Sequence, residues 1–106
     1  MSYRYMRVIV FFDLPSTTYE ERKSYTKFRK FLLSDGFVMM QESVYSIIAL
    51  NSTTAKLIQD RVRKHKTPKG IIQMMVITEK QFAGIEYVIG NCKNKVLDNT
   101  KRLVVF

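Results

Sequence analysis

The chain of 106 residues is long enough for one domain with a hydrophobic core and too short for two. Its 46% hydrophobic and 25% charged residues are typical of a globular protein and exclude a chain too polar to fold. Eighteen Lys and Arg against nine Asp and Glu give a net charge of +9, which favours a polyanionic partner, most commonly nucleic acid.

Cysteine content and hydropathy exclude several other classes of protein. Cys92 is the single cysteine, so no disulfide can form within the chain, and it lacks the spacing of a zinc knuckle. The beginning of the sequence, MSYRYMRV, has no apolar segment of the kind found in secretory signals. No apolar run approaches the roughly 18 residues that a membrane span needs. We therefore expect a cytoplasmic protein with no membrane partner.

The first half of the chain predicts a strand followed by a helix. Residues 5–13, YMRVIVFFD, are β-branched and aromatic, which is typical of a central strand, and Pro15 prevents its continuation. Two threonines each precede a glutamate by three residues, so either can begin a capped helix. Apolar residues at helical spacing and a closing Gly36 predict that this helix covers about 17–34.

The second half predicts two strands, a helix and a further strand. Residues 37–50 divide at a polar break near Gln41, so that the third strand covers about 43–50. A second amphipathic helix begins near Asn51 and ends within RKHKTPKG, and IIQMMVIT at 71–78 is the last strand of the unit. The order βαββαβ predicts an α+β, ferredoxin-like fold.

Two apolar segments follow this unit, IEYVIG at 85–90 and RLVVF at 102–106. Unpaired apolar strands are an aggregation hazard, so we infer that at least one pairs with a second copy of the chain. This predicts a homodimer with strand exchange; the alternative is a fifth strand in the chain's own sheet. The whole chain, 1–106, is then one domain, with a core of about 3–78 and an extension of about 79–106 that packs on the partner protomer.

A basic stripe runs along the first predicted helix. Lys23, Lys27 and Lys30 fall at i, i+4 and i+7, roughly opposite the apolar side of the helix. The residues that we expect to contact the phosphates of a nucleic-acid backbone are Arg22, Lys23, Lys27, Arg29 and Lys30. Such contacts carry no sequence information. On the second helix cations alternate with an acid, which indicates a solvated surface.

The βαββαβ order also occurs in the RNA-recognition motif, which the sequence argues against. That motif carries a K/R-G-F/Y-G/A-F-V-x-F/Y signature on its third strand. The corresponding segment here, SVYSIIAL at 43–50, has one aromatic residue and no Arg-Gly start. We therefore reject this interpretation.

Asp13 ends the first strand just before a helix N-terminus, where a metal ion and a phosphate can meet. No second acid lies within a few residues of it, so one chain does not build a full metal site. A dimer would do so if its two-fold axis brought two Asp13 side chains together. In the simpler interpretation, which we prefer on the residues alone, Asp13 caps the loop before the helix.

The strand that ends in Asp13, the Pro-Ser-Thr helix start, GFVMMQESVY and TEKQF together resemble a known family over essentially the whole chain. This is the small CRISPR-associated adaptation protein, the non-integrase core subunit of the spacer-acquisition complex, and this sequence looks like the type II-A version. The resemblance implies a ferredoxin-like homodimer that bridges two dimers of the CRISPR integrase while duplex DNA lies across its basic surface.

The resemblance also implies a second activity. Members of the family are widely described as Mg²⁺-dependent endonucleases, with Mn²⁺ as a substitute. The matching residue, Asp13, would then be the metal ligand and catalytic residue, one from each protomer. Two main hypotheses follow, a DNA-binding scaffold and a metal-dependent phosphodiesterase that acts on RNA or DNA; a toxin-like messenger ribonuclease is a third.

Overall fold

The computed structural model describes residues 5–90, which form four strands and three helices. In chain order these are β1 (Met6–Asp13), α1 (Tyr19–Ser34), β2 (Val38–Gln41), β3 (Val44–Ala49), α2 (Ser52–Lys64), β4 (Ile71–Thr78) and α3 (Glu79–Ala83). The strands form one antiparallel sheet in the order β2-β3-β1-β4. This order of elements and strands confirms the predicted α+β, ferredoxin-like fold.

Local contacts set both ends of α1. The Thr18 hydroxyl accepts a hydrogen bond from the Glu21 backbone N–H, and the Glu21 carboxylate accepts one from the Thr18 N–H. This capping box selects the second threonine, so the helix begins two residues later than the predicted 17. At the other end Gly36 has a φ of +106° and its N–H donates to the carbonyl of Leu33, while Phe37 N–H donates to Leu32. This is a Schellman motif, for which the left-handed glycine is required.

The hydrophobic core lies between one face of the sheet and the two long helices. Val8, Val10 and Phe12 of β1 point to this side and are buried. The Phe12 ring packs edge-on against Phe28 of α1, with ring centroids 5.2 Å apart, and stacks on Tyr45 of β3 at 5.6 Å. The alternation of β1 therefore fixes which side the helices cover and leaves the other side of the sheet open.

A short helix that the sequence interpretation missed follows β4. Thr78 and Gln81 form a second capping box, which starts α3 directly after the strand. Arg7 of β1 holds this helix against its own chain, because its guanidinium makes two hydrogen bonds to the Glu79 carboxylate, at 3.0 and 2.7 Å, and lies 4.0 Å from the centre of the Phe82 ring. The predicted extension began at about 79, but residues 79–83 pack on their own sheet, so any extension begins after Gly84.

Residues 85–90 do not form the fifth strand in the chain's own sheet that was the alternative to strand exchange, and their pairing with a second copy stays a prediction. The segment has no strand pairing, and Val88 and Ile89 are 84% and 89% exposed. An extended segment becomes a strand only when a neighbouring edge receives its backbone hydrogen bonds, and no edge within residues 5–90 does so. The other predicted late strand, 102–106, lies outside the described residues. None of the helices within 5–90 has the length and hydropathy of a membrane span.

Candidate functional site

The structure places Asp13 on the open side of the sheet. Residues along a strand alternate between its two faces, so Ile9, Phe11 and Asp13 lie opposite the helix-covered residues of β1. Asp13 is exposed and pairs across the strands with Ile71, the first residue of β4, which is 58% exposed. The strand therefore delivers its carboxylate to solvent at the edge of an apolar face.

The Asp13 carboxylate has no hydrogen bond or ion pair within residues 5–90. The preferred interpretation from the sequence, that Asp13 caps the loop before α1, is therefore wrong. The Thr18 hydroxyl and the Glu21 carboxylate do this instead, and Glu21 also lies 3.8 Å from the Lys69 ammonium. Hydrogen bonds from the Thr18 backbone, and then from Thr17 and the charge of Lys69, hold the pKa of Glu21 below its usual range.

Gly70 sets the position of the Asp13 strand end. It immediately precedes β4 and has a φ of +94°. A Cβ at this position would lie 2.7 Å from the Asp13 carbonyl oxygen and 2.7 Å from Leu14 Cδ2. Both the backbone conformation and the close approach require glycine here.

We expect Gly70→Ala to destabilise the protein and to displace Asp13. Left-handed strain alone costs an alanine about 1–2 kcal/mol, and the contact with the Asp13 backbone adds to it. Gly90→Ala is the matched control, because Gly90 has a similar φ of +92° but nothing within 4 Å of its Cβ position. Urea denaturation of the two variants measures the difference. Equal stability of the two would contradict a tight contact at Asp13.

One chain does not supply a metal site around Asp13. Within residues 5–90 no group of three or more His, Cys, Asp or Glu side chains is placed to hold a metal ion. The nearby Glu21 is committed to the capping box. A divalent cation such as Mg²⁺ needs several oxygen ligands, and a lone carboxylate does not provide them. Residues 5–90 of a single chain therefore do not fit a resident metal ion.

The open side of the sheet is an exposed apolar surface, which we call the open face. Its exposed hydrophobic side chains come from β2, β3 and β4 and include Val38 62%, Ile48 50%, Ile71 58% and Met75 46%, whereas Ile9 of β1 is buried. Ile48 and Met75 lie on the same face because they pair across the strands with Arg7 and Ile9. Large exposed apolar side chains gathered on one face of a sheet mark an interaction site.

The structure divides the five predicted DNA contacts into two groups. Lys23, Lys27 and Lys30 are exposed and have no ion pair within residues 5–90; we call them the lysine ridge. Arg22 instead donates to the Thr17 carbonyl at 2.7 Å, and Arg29 donates through Nε to the hydroxyl of the buried Tyr45 at 2.9 Å. The two arginines thus have structural partners that periodicity alone did not indicate, and the ridge retains its free charge.

Known proteins match this chain over most of its length. A family model described as "CRISPR associated protein Cas2" matches residues 6–85. The protein named "CRISPR-associated endoribonuclease Cas2" from Treponema denticola is 48% identical over 94% of this chain and 99% of its own length. This chain belongs to the Cas2 family. The family resemblance drawn from the sequence is thereby confirmed.

Further Cas2 proteins agree with this assignment. A "CRISPR-associated endoribonuclease Cas2" from Streptococcus mutans serotype c (strain UA159) is 46% identical over 93% of this chain and 91% of its own length. A solved structure described as "Crystal structure of cas2" aligns with a TM-score of 0.60 at 18% identity, covering 94% of this chain and 99% of that one. The structural match supports the fold, and the two sequence relatives support membership of the Cas2 family.

Sequence reasoning missed three parts of the site. Gly70 is essential because of a contact with a strand distant in sequence, so no local pattern showed its role. The α3 helix did have a local signal, the Thr78-x-x-Gln81 capping box. The basic end of α2, interpreted as a solvated surface, lies beside the ridge residue Lys27 and lines a cleft with it. Only packing of α1 against α2 brings these charges together.

Proposed function

We propose that this Cas2-family protein is a dimeric DNA-binding scaffold of CRISPR spacer acquisition. In this role it acts in the cytoplasm, holds duplex DNA on its basic surface and bridges dimers of the CRISPR integrase. The cutting and joining chemistry then belongs to the integrase. The observation that carries the proposal is the lysine ridge, whose three charges are exposed and have no ion pair within residues 5–90.

The lysine ridge suits a nucleic-acid backbone. Its three ammonium groups follow one helix, and residues four apart on a helix are separated by about 6 Å along its axis. Exposed cations without acidic partners bind phosphates and release the counterions of the nucleic acid, which gives affinity without sequence preference. The +9 net charge of the chain raises the rate of encounter with any polyanion.

The open face supports the proposed homodimer. A second copy is the occupant that we propose, because half-exposed Ile48, Ile71 and Met75 form a surface too apolar to remain in water. Asp13 lies on the open face. A two-fold axis through this face would therefore place the Asp13 residues of both copies at the dimer interface. Strand exchange through the C-terminal residues is a further part of the proposal.

A metal-dependent phosphodiesterase is the second candidate. Two observations favour it: the Asp13 carboxylate is exposed and unpartnered within residues 5–90, and curated relatives carry the name endoribonuclease. Since one chain lacks a ligand set, this candidate needs Asp13 from both copies around Mg²⁺ or Mn²⁺. The substrate would be RNA or DNA.

Asp13→Ala distinguishes the two candidates. We expect the variant to bind linear duplex DNA as tightly as the wild type, since a lone carboxylate only repels phosphate, and we expect neither protein to hydrolyse DNA or RNA. The measurement compares cleavage of both substrates with Mg²⁺, Mn²⁺ or EDTA, and binding of the same duplex by fluorescence anisotropy. Metal-dependent cleavage that disappears in Asp13→Ala would establish the nuclease instead. Absence of salt-sensitive binding by the wild type would refute the scaffold.

A further inference from the structure

A basic cleft of about 210 Å³ lies between α1 and the end of α2. The helix α1 contributes Ser24 and Lys27, and the end of α2 with the loop that follows contributes Lys64, Lys66 and Thr67. We call this the α1–α2 cleft. Its lining contains three lysines and no acidic side chain, so its chemistry is that of an anion site.

The charge of the cleft is not neutralised by neighbouring side chains. None of its three lysines has an acidic partner in the part of the chain that the structure describes. Two acids of the helices are engaged elsewhere, Asp35 by Arg61 at 2.9 Å and Asp60 by Arg63, and Glu20 and Glu21 line the adjoining cleft and not this one. Ammonium groups gathered without a counter-charge repel one another, and an anion in the cleft relieves this repulsion.

The walls of the cleft are held in place by contacts that involve no ligand. The His65 ring stacks on Phe31, with centroids 3.8 Å apart and planes 10° from parallel. Its Nδ1 lies 2.9 Å from the Arg61 carbonyl oxygen, which can only accept, so the ring N–H donates there. The Thr67 hydroxyl donates to the Lys69 carbonyl at 2.7 Å and fixes the following loop. A site ordered in this way loses little entropy on binding.

Several free hydrogen-bonding groups of the cleft can donate to an anion. The half-buried Ser24 hydroxyl has no partner within residues 5–90, and the ammonium groups of the three lysines can only donate. A phosphate group offers several charged acceptor oxygens and satisfies such a set with charge-assisted hydrogen bonds. The adjacent cleft of about 250 Å³ differs, because Glu20 and Glu21 line it with one cation, Lys69.

We propose that the α1–α2 cleft binds a backbone phosphate of duplex DNA. The cleft adjoins the lysine ridge through Lys27, which belongs to both, so a strand that follows the ridge lies next to Lys64 and Lys66. This assignment rests on the proposed DNA-binding function. It extends the DNA contact from α1 alone to the end of α2.

The test compares two pairs of neutralised lysines in the full-length chain. Lys64→Gln/Lys66→Gln removes two charges from the cleft, and Lys56→Gln/Lys80→Gln removes two exposed, unpaired charges elsewhere. Duplex affinity is measured over a range of salt concentrations. The quantity compared is the slope of the logarithm of the binding constant against the logarithm of the salt concentration. We expect this slope to become shallower by about 1.8 in the cleft variant, about 0.9 for each lost contact, and to stay unchanged in the control. Circular dichroism checks that both variants fold.

A second measurement probes the cleft with inorganic phosphate. In NMR spectra we expect phosphate, but not chloride at equal ionic strength, to shift the backbone amides of Ser24 and Thr67, and we expect the cleft variant to lose these shifts. Equal salt slopes in the two double variants, or amides that respond to chloride as to phosphate, would overturn the proposal. A third outcome separates the two proposals: phosphate shifts the amides, but the wild type binds no duplex. The cleft would then be a phosphate site, whereas both the assignment of that phosphate to the DNA backbone and the proposed function would be wrong.

Discussion

Lys23→Glu/Lys30→Glu is expected to abolish measurable duplex binding at physiological salt. Each substitution removes one ridge cation and replaces it with a charge that phosphate repels. Loss of two phosphate contacts alone makes the slope of log affinity against log salt concentration shallower by about 1.8, and the added repulsion weakens binding further. Lys27 is left in place because it also lines the α1–α2 cleft, so the result reports on the ridge and not on the cleft.

The control for this experiment is Lys56→Glu/Lys80→Glu, which changes the net charge by the same amount. Lys56 lies on α2 and Lys80 on α3, both exposed and without an ion pair within residues 5–90. Fluorescence anisotropy against a labelled duplex, repeated over several salt concentrations, gives affinity and slope for both variants. If the two variants lose affinity equally, binding depends on net charge and the ridge is not a specific contact surface.

Ile48→Glu is expected to convert the proposed homodimer into a monomer. Ile48 is 50% exposed on the open face, where it pairs with Arg7 across β3 and β1. In a symmetric dimer the new carboxylate is buried twice, and each uncompensated buried charge costs several kcal/mol. A total of roughly 4 kcal/mol weakens dimerisation about a thousandfold. The nearby Arg7 does not offset this cost, because it is already paired with Glu79.

Leu57→Glu is the matched control for the open face. Leu57 is 56% exposed, similar to Ile48, but it lies on α2, on the other side of the sheet. Sedimentation equilibrium gives the mass of both variants and of the wild type. We expect Leu57→Glu to remain dimeric and to bind DNA as before. A wild type that is monomeric at micromolar concentration, or an Ile48→Glu dimer as stable as the control, would contradict the proposed use of this face.

The two DNA-binding proposals and the dimer proposal are separable because their residues lie on different surfaces. The ridge lies on α1 and the cleft between α1 and the end of α2, whereas Ile48 and Met75 lie on the opposite side of the sheet. A monomeric Ile48→Glu protein therefore retains its basic surface. If it binds duplex DNA with an unchanged salt slope, each protomer contacts DNA independently.

The order of elements was readable from the sequence because it depends on local patterns. A continuous β-branched and aromatic run predicted β1, and the limits of β4 at 71–78 were predicted without error. Turn and cap residues such as Gly36 and Asn51 act on the backbone next to them, and the structure shows both at the expected helix ends. The missed α3 helix carried the same kind of local signal, a threonine and a glutamine three residues apart.

The surroundings of the functional groups depended on residues far apart in the chain, and only the tertiary structure decided them. The lack of a partner for Asp13 and the contact with Gly70 follow from the pairing of β1 with β4. Arg29 looked like a ridge residue until packing placed the Tyr45 hydroxyl 2.9 Å away. The sequence by itself thus determined the βαββαβ fold, its family and the abundance of positive charge, since these depend on composition and neighbouring residues. Which charges are free, and which face is left open, depends on how helices and strands pack against one another.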